Sequence, residues 1–293
     1  MRIIILLCIL KSFNISAVEK DGGVKKNKLF VLNNYSEFRA FEAQVNRSIF
    51  RSFLPGELER VNNIQIGGFY NFSDTRFSIE GRFKEVRKGN YSDEIYLCDR
   101  INCNFVNEQI GTYFRNEALI NGFYELFESY VFIKLGTRYI KSELSYSNRL
   151  NSVRRFYQSS IGLNTGLRFV TPTFYDFYLT LDLDAFFSKG RLQHEFANPF
   201  PRGQYDFTFS NQNHVQITSG EEKTLMLFYN LSDNLYFGAG YSIFRSRIRP
   251  SKMEVYTTDF NSDLRFNSNF QYLGGKSFSD YFFSSIFELG YKY

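Results

Sequence analysis

The sequence predicts an all-β chain closed into a transmembrane antiparallel up-and-down β-barrel of about ten strands, within a range of about eight to twelve. It also predicts short turns at one end, long loops at the other and room for one helix near the N-terminus. Three observations carry this expectation. The first is strict alternation. In Tyr157 to Phe169, Tyr157, Ile161, Leu163, Leu167 and Phe169 alternate with Gln158, Ser160, Gly162, Asn164, Gly166 and Arg168. Successive side chains of a strand point to opposite faces, so such a segment has one apolar and one polar or small face. The second is length: many alternating runs reach the roughly 9–11 residues that cross a bilayer at a tilt, with Tyr or Phe near their ends. The third is rhythm. Ser73-Asp74, Glu128-Ser129, Thr171 to Tyr175 and Ser232 to Asn234 are short connections, whereas 88–112, 191–212 and 250–278 are long and polar. A soluble sandwich also has strands with one apolar face, but nothing makes it gather its long connections at one end.

The chain has 293 residues, 19% aromatic, with a mean hydropathy of -0.31. Beyond its start it has no run of about 18 apolar residues, which a spanning helix needs. Arg2, the apolar run Ile3 to Leu10 and Ile15-Ser16-Ala17 read as a signal peptide over 1–17. Leu7 is bulky where lipidation of Cys8 wants a small residue. Cleavage would remove Arg2 and Lys11 from a formal net charge of +5, leaving mild basicity with mixed signs. That excludes nucleic acid as a partner.

Residues 18–34, with Asp21-Gly22-Gly23 and Lys25-Lys26-Asn27-Lys28, read as a flexible leader. Residues 35–56 are ambiguous. Phe38, Phe41, Val45, Ile49 and Phe53 have helical spacing, and Leu54-Pro55-Gly56 would end a helix. Yet nine strands are legible after them, and single-chain barrels carry an even number, so a first strand is wanted here. Ten strands are expected, with 35–56 as first strand or amphipathic helix and 57–293 as the barrel.

From Asn63 onward each strand has a face. Ile64, Ile66 and Tyr70 share one, then Phe77, Ile79 and Phe83, then Ala118, Ile120 and Tyr124, then Ile133, Leu135 and Tyr139. Leu179, Leu181 and Leu183 follow, and then Phe237, Ala239 and Tyr241. The last strand, Tyr281 to Tyr293, sets Phe287, Leu289, Tyr291 and Tyr293 on one side. This ending resembles the terminal signal of bacterial outer-membrane β-barrel proteins, the porin-like class, which close on an alternating strand with a final aromatic. The resemblance implies export, insertion into the bacterial outer membrane by its assembly machinery, short turns in the periplasm and long loops outside. Phe287, Leu289, Tyr291 and Tyr293 would then be the assembly signal.

In such a barrel the apolar face meets lipid, because unpaired polar groups in hydrocarbon are costly. The opposite face supplies the lumen. It carries Arg82, Lys84, Lys134, Arg138, Arg168 and Lys292 against Glu80, Glu117, Glu125, Asp182, Asp184 and Glu288. Glu80, Arg82, Lys84, Arg138, Arg168, Asp182, Asp184 and Glu288 are the candidate lumen site. Balanced signs give no strong fixed field, and around eight strands leave just enough interior for side chains. Arg168 should face Asp182 or Asp184, with Asp176 competing because it lies nearer the turn.

Cys98 and Cys103 remain after cleavage and are expected to form a disulfide closing a small outer loop. The two histidines, His194 and His214, lie too far off to suggest zinc. His194-Glu195, Asp206 and His214 form no catalytic motif. The chain therefore reads as a non-enzyme without cofactor or metal. The functional readings are a small porin-like channel or structural barrel, a surface adhesin or receptor binding an extracellular ligand through its loops, and, least supported, an outer-membrane hydrolase.

Overall fold

A computed structural model describes residues 27–49, 58–72, 75–98, 103–127, 129–147, 153–199, 207–257 and 277–293. Ten strands form one closed antiparallel barrel. They are β1 (Lys28–Arg39), β2 (Glu59–Asn71), β3 (Phe77–Cys98), β4 (Cys103–Phe127), β5 (Val131–Ser147), β6 (Val153–Val170), β7 (Phe177–Pro199), β8 (Phe207–Asn230), β9 (Leu235–Thr257) and β10 (Phe278–Lys292). One helix, α1 (Phe41–Ile49), follows β1. Neighbours in sequence pair as hairpins, and β1 pairs with β10 to close the wall, Lys28 opposite Lys292 and Arg39 opposite Tyr281. Both ends of the described chain therefore lie at one end of the barrel, the terminal end. The other is the hairpin end.

The N-terminal segment resolves differently from either single expectation. β1 begins at Lys28, inside the stretch read as leader, and residues 41–49 are helical. The strand escaped notice because it does not alternate in polarity. Leu29, Val31 and Tyr35 face outward while Phe30, Leu32 and Phe38 are buried inside, so both faces are apolar. Parity and helical spacing are thus both satisfied, by consecutive pieces of chain.

The long connections are also corrected. Most of 88–112 is the upper part of β3 and β4, and most of 191–212 belongs to β7 and β8. β9 continues to Thr257, and the stretch after it, 258–276, lies outside the described residues. Alternation fades in these parts because the outward face there is polar: Glu85 and Arg87 succeed Phe83, and Lys189 and Arg191 succeed Phe187. β7 has 23 residues, about twice the 9–11 that cross a bilayer. On the longer strands roughly half the wall stands beyond the exposed apolar belt.

That belt is written on the outer surface. Ile64, Ile120, Leu135, Ile161 and Leu289 are all exposed, each by more than half. Where the wall leaves it, β3 contains a bulge between Lys88 and Tyr91, with Asn90 at φ 53. Asn tolerates this left-handed backbone better than most residues. The extra residue re-aims the strand and sends Tyr91 inward.

Candidate functional site

The barrel interior, where the candidate charges point, is filled at two levels. Near the terminal end, β3, β5, β6 and β7 contribute an ionic network. Arg168 grips Asp182 with two donors, Nε at 2.8 Å and Nη2 at 3.1 Å, and reaches Glu80 at 3.0 Å. Arg82 lies 2.6 Å from the other Glu80 oxygen. Lys134 donates to Asp182 at 2.8 Å and Asp184 at 2.6 Å. The three cations and three carboxylates of this chain of contacts balance, so each charge taken out of water has a partner.

Local structure explains the fit. β6 and β7 are in a register that sets Arg168 directly opposite Asp182 and Gly166 opposite Asp184. The connection runs through Thr171 to Asp176, so Asp176 stays in the exposed turn and does not compete. At Gly166 an added Cβ would fall 2.7 Å from an Asp184 carboxylate oxygen and 2.2 Å from the Leu183 carbonyl. The glycine lets β7 and its acid lie close over β6. Below the network sits an aromatic floor. Arg168 lies 4.6 Å over the Phe123 ring, and Tyr178 stacks on Phe228. Tyr236 donates to Glu288 at 2.7 Å, while Lys28 and Lys292 flank the rings of Tyr178 and Tyr236.

Toward the hairpin end a second network crosses the lumen. Arg115 on β4 reaches Asp280 on β10 at 2.6 Å and Glu117 at 3.2 Å. Arg138 on β5 ties Glu117 at 2.7 Å to Glu222 on β8 at 2.5 Å. Both guanidinium groups stack on rings, Arg115 on Phe244 and Phe282 at 4.8 Å, Arg138 on Phe186 at 4.7 Å. Lys84 sits 5.3 Å over Phe282.

Helix α1 folds back into this upper lumen. Phe41, Ala43 and Val45 are buried there with Phe38, Ile140, Leu144, Phe156 and Ile248. Its first N–H groups have no intrahelical acceptor. The amide of Phe41 donates instead to Asp280 Oδ1 at 2.8 Å. Gln44 pairs twice with the backbone of Ser279, donating from Nε2 and accepting at Oε1. Glu42, fully buried, accepts from Ser142.

Of the candidate lumen residues, Glu80, Arg82, Arg168, Asp182 and Asp184 meet in the lower network, Arg138 and Lys84 in the upper one, and Glu288 at the aromatic floor. Sequence reasoning left out Arg115, Glu222, Asp280 and Glu42. Arg115 and Asp280 continue the inward alternation of strands already recognised, so extending each run by a few residues would have found them; Glu222 lies on β8, where no alternating run was picked out. Glu42 had no such signal, because it acts from the helix.

The other predicted positions separate. Phe287, Leu289, Tyr291 and Tyr293 face outward, all exposed. Cys98 and Cys103 stand opposite each other where β3 turns into β4, and their side chains lie outside the described residues. His194, placed by sequence in a loop, is on the inner face of β7, stacked on Phe156 at 4.4 Å. His214 is on β8 opposite Leu192, with its side chain outside the described residues, as is Asp206. Among the described residues the lower lumen leaves a small, partly open space of about 70 Å³, lined by Phe30, Glu80, Arg168, Tyr178, Asp182 and Glu288 among others. That is room for a handful of waters, given about 10–15 Å³ for each.

No protein-family model and no curated protein matches the sequence. Similar solved structures are bacterial outer-membrane β-barrel proteins. They include the outer membrane protease OmpT from Escherichia coli, at 12% identity and TM-score 0.46 over 92% of this chain and 97% of that one. The anion-selective porin from Comamonas acidovorans has 9% identity and TM-score 0.17, over 90% and 98%. OccK2 from Pseudomonas aeruginosa, in complex with glucuronate, has 7% identity and TM-score 0.14, over 91% and 98%.

Proposed function

We propose that this chain is an exported bacterial outer-membrane protein whose lumen is a structural core, and whose work is done by its tall hairpin end as a surface-exposed binding protein. Periplasmic turns would then lie at the terminal end, and Tyr291 and Tyr293 would serve recognition by the assembly machinery. One observation carries the reading: the interior is occupied at two successive levels, by cross-lumen ion pairs and by helix α1. A solute path would need a continuous wet column, and a pocket of about 70 Å³ is too small to be one. The wall beyond the belt, in contrast, has an outward polar face and supplies area for a partner. A disulfide between Cys98 and Cys103 would hold the tip of the β3–β4 hairpin in one shape, in keeping with such a role.

Planar-bilayer recording on refolded protein tests this. The expected trace is a flat baseline at either polarity. Steady unitary steps from the wild-type chain would restore the channel reading.

A further inference from the structure

Outward-facing charge is distributed unevenly around the barrel just above the lipid belt. On the β1–β3 wall Arg60 and Arg87, the most exposed cations above the belt, are neutralised in place. Arg60 lies 2.9 Å from Glu37, and Arg87 lies 2.6 Å from Glu85. On β6, Arg155 is held by Glu143 at 3.0 Å and Glu195 at 3.5 Å. On β7 and β9 the pattern changes. Lys189 and Arg191 are exposed on β7, and Arg245, Arg247 and Arg249 are exposed on β9. None of the five has an ion-pair partner among the described residues. The acid nearest in register, Glu221 on the intervening β8, is paired with Lys223 at 3.0 Å.

The register makes these five one cluster. Lys189 stands opposite Ile217, and Ile217 opposite Arg249; Phe187, Ser219 and Arg247 form the next row down, and Ala185, Glu221 and Arg245 the next. Strands lie about 4.8 Å apart and residues rise about 3.4 Å, so the patch measures about 10 Å across by about 20 Å along the strands, from Arg245 up to Arg191. Like charges held this close repel one another. Among the described residues the patch holds one acid, Glu221, which Lys223 already engages, so the excess of positive charge points to an anion from outside.

Position identifies the anion. The outward residue before Lys189 is Phe187, and those before Arg245 are Ile243 and Tyr241; Phe187 and Tyr241 are each 57% exposed on the lipid face. The cations therefore begin where the apolar belt ends, at the depth of lipid headgroups. Arg245 lies 5.5 Å over the ring of Tyr281, an aromatic of the kind that anchors at this interface. Guanidinium forks match phosphate oxygens, and basic residues at a membrane surface attract anionic lipid. Resting on the outer-membrane reading above, we infer that the β7–β9 face binds the phosphate-bearing headgroups of anionic lipid in the outer leaflet. The opposite wall, where Arg60 and Arg87 are already paired, does not. The barrel thereby acquires a preferred lipid neighbour on one side.

The chain has no Trp, so single reporters are clean. Phe187→Trp reports beside the patch, and Phe83→Trp on the opposite wall serves as control. Each is refolded into phosphatidylcholine vesicles containing a minor share of phosphatidylglycerol, with acyl bromine quencher carried by one lipid or the other. At Phe187→Trp, quenching by the brominated anionic lipid should exceed its bulk share by about five-fold. At Phe83→Trp it should match bulk. Adding R247Q and R249Q should return the first reporter to bulk while heat-modifiable folding persists. Bulk quenching at both sites overturns the lipid assignment. If heparin is then retained by the detergent-solubilised protein through the same arginines, the occupant is a soluble polyanion instead. No quenching at either site by fully brominated phosphatidylcholine would instead sink the membrane reading itself.

Discussion

In the half of the lumen nearest the termini, every filling side chain comes from the strands, and opposite charges close into a neutral chain from Arg82 to Asp184. In the half nearest the hairpins, strands alone leave a space that helix α1 enters, bringing Phe41, Val45 and a buried carboxylate, Glu42. The lower half is sealed by side chains fixed to the wall, the upper half by a segment attached to the wall at its beginning. The lower filling is therefore set once the strand register is set, because Arg168 and Asp182 face each other in the same hairpin. The upper filling also requires a docking step.

The sharpest way to break this contrast is Arg168→Leu. Asp182 would keep Lys134, and Glu80 would keep Arg82, but two buried carboxylates would lose their shared partner. Removing one member of such a buried set costs about 3–5 kcal/mol. Heat-modifiable gel migration should show a large drop in melting temperature, partly recovered when Asp182 is also made Leu. An unchanged melting temperature would mean that the lower half is hydrated and not sealed.

Phe41→Ala should cost about 3 kcal/mol, through the cavity it leaves in the upper half. It should also add brief openings to an otherwise flat bilayer trace, because the plug is loosened while the wall stays intact. Equal losses of barrel stability and no openings would show that the helix is part of the wall's own core. The smallest thermodynamic effect belongs to Tyr291→Asp with Tyr293→Asp, which lie on the lipid face near the terminal rim. A charge there costs only about 0–1 kcal/mol. Assembly in cells should fail far more severely than refolding in detergent, and equal sensitivity of the two would remove recognition as the cause.

The same contrast explains what the sequence could and could not disclose. An apolar belt outside and polar groups inside impose alternation, so the belts of all the strands after Asn63 except β8, and charges such as Arg168 and Asp182, were legible. β1 was not, because Phe30 and Leu32 pack in the lower lumen while Leu29 and Val31 meet lipid, which erases the polarity difference between faces. The upper parts of β3, β4, β7 and β8 were taken for loops because water outside allows polar residues on the outward face. The helical spacing of Phe41 and Val45 was visible, but the acceptor for its first amide, Asp280, lies 239 residues further on. No local pattern announces such a partner.

That separation has a consequence for the order of events. Phe41 and Gln44 belong to the first tenth or so of the chain's barrel to be made, yet both are held by Ser279 and Asp280 of the last strand. Loop-closure entropy for contacts this distant must be met before they return anything. The seat that β5, β6 and β9 offer the helix therefore stays incomplete until β10 comes alongside β1, and seating it rewards that same encounter. The plug works as a latch on the seam: the contact that zips the first strand to the last is also the one that locks the interior, so closure and sealing become a single cooperative event.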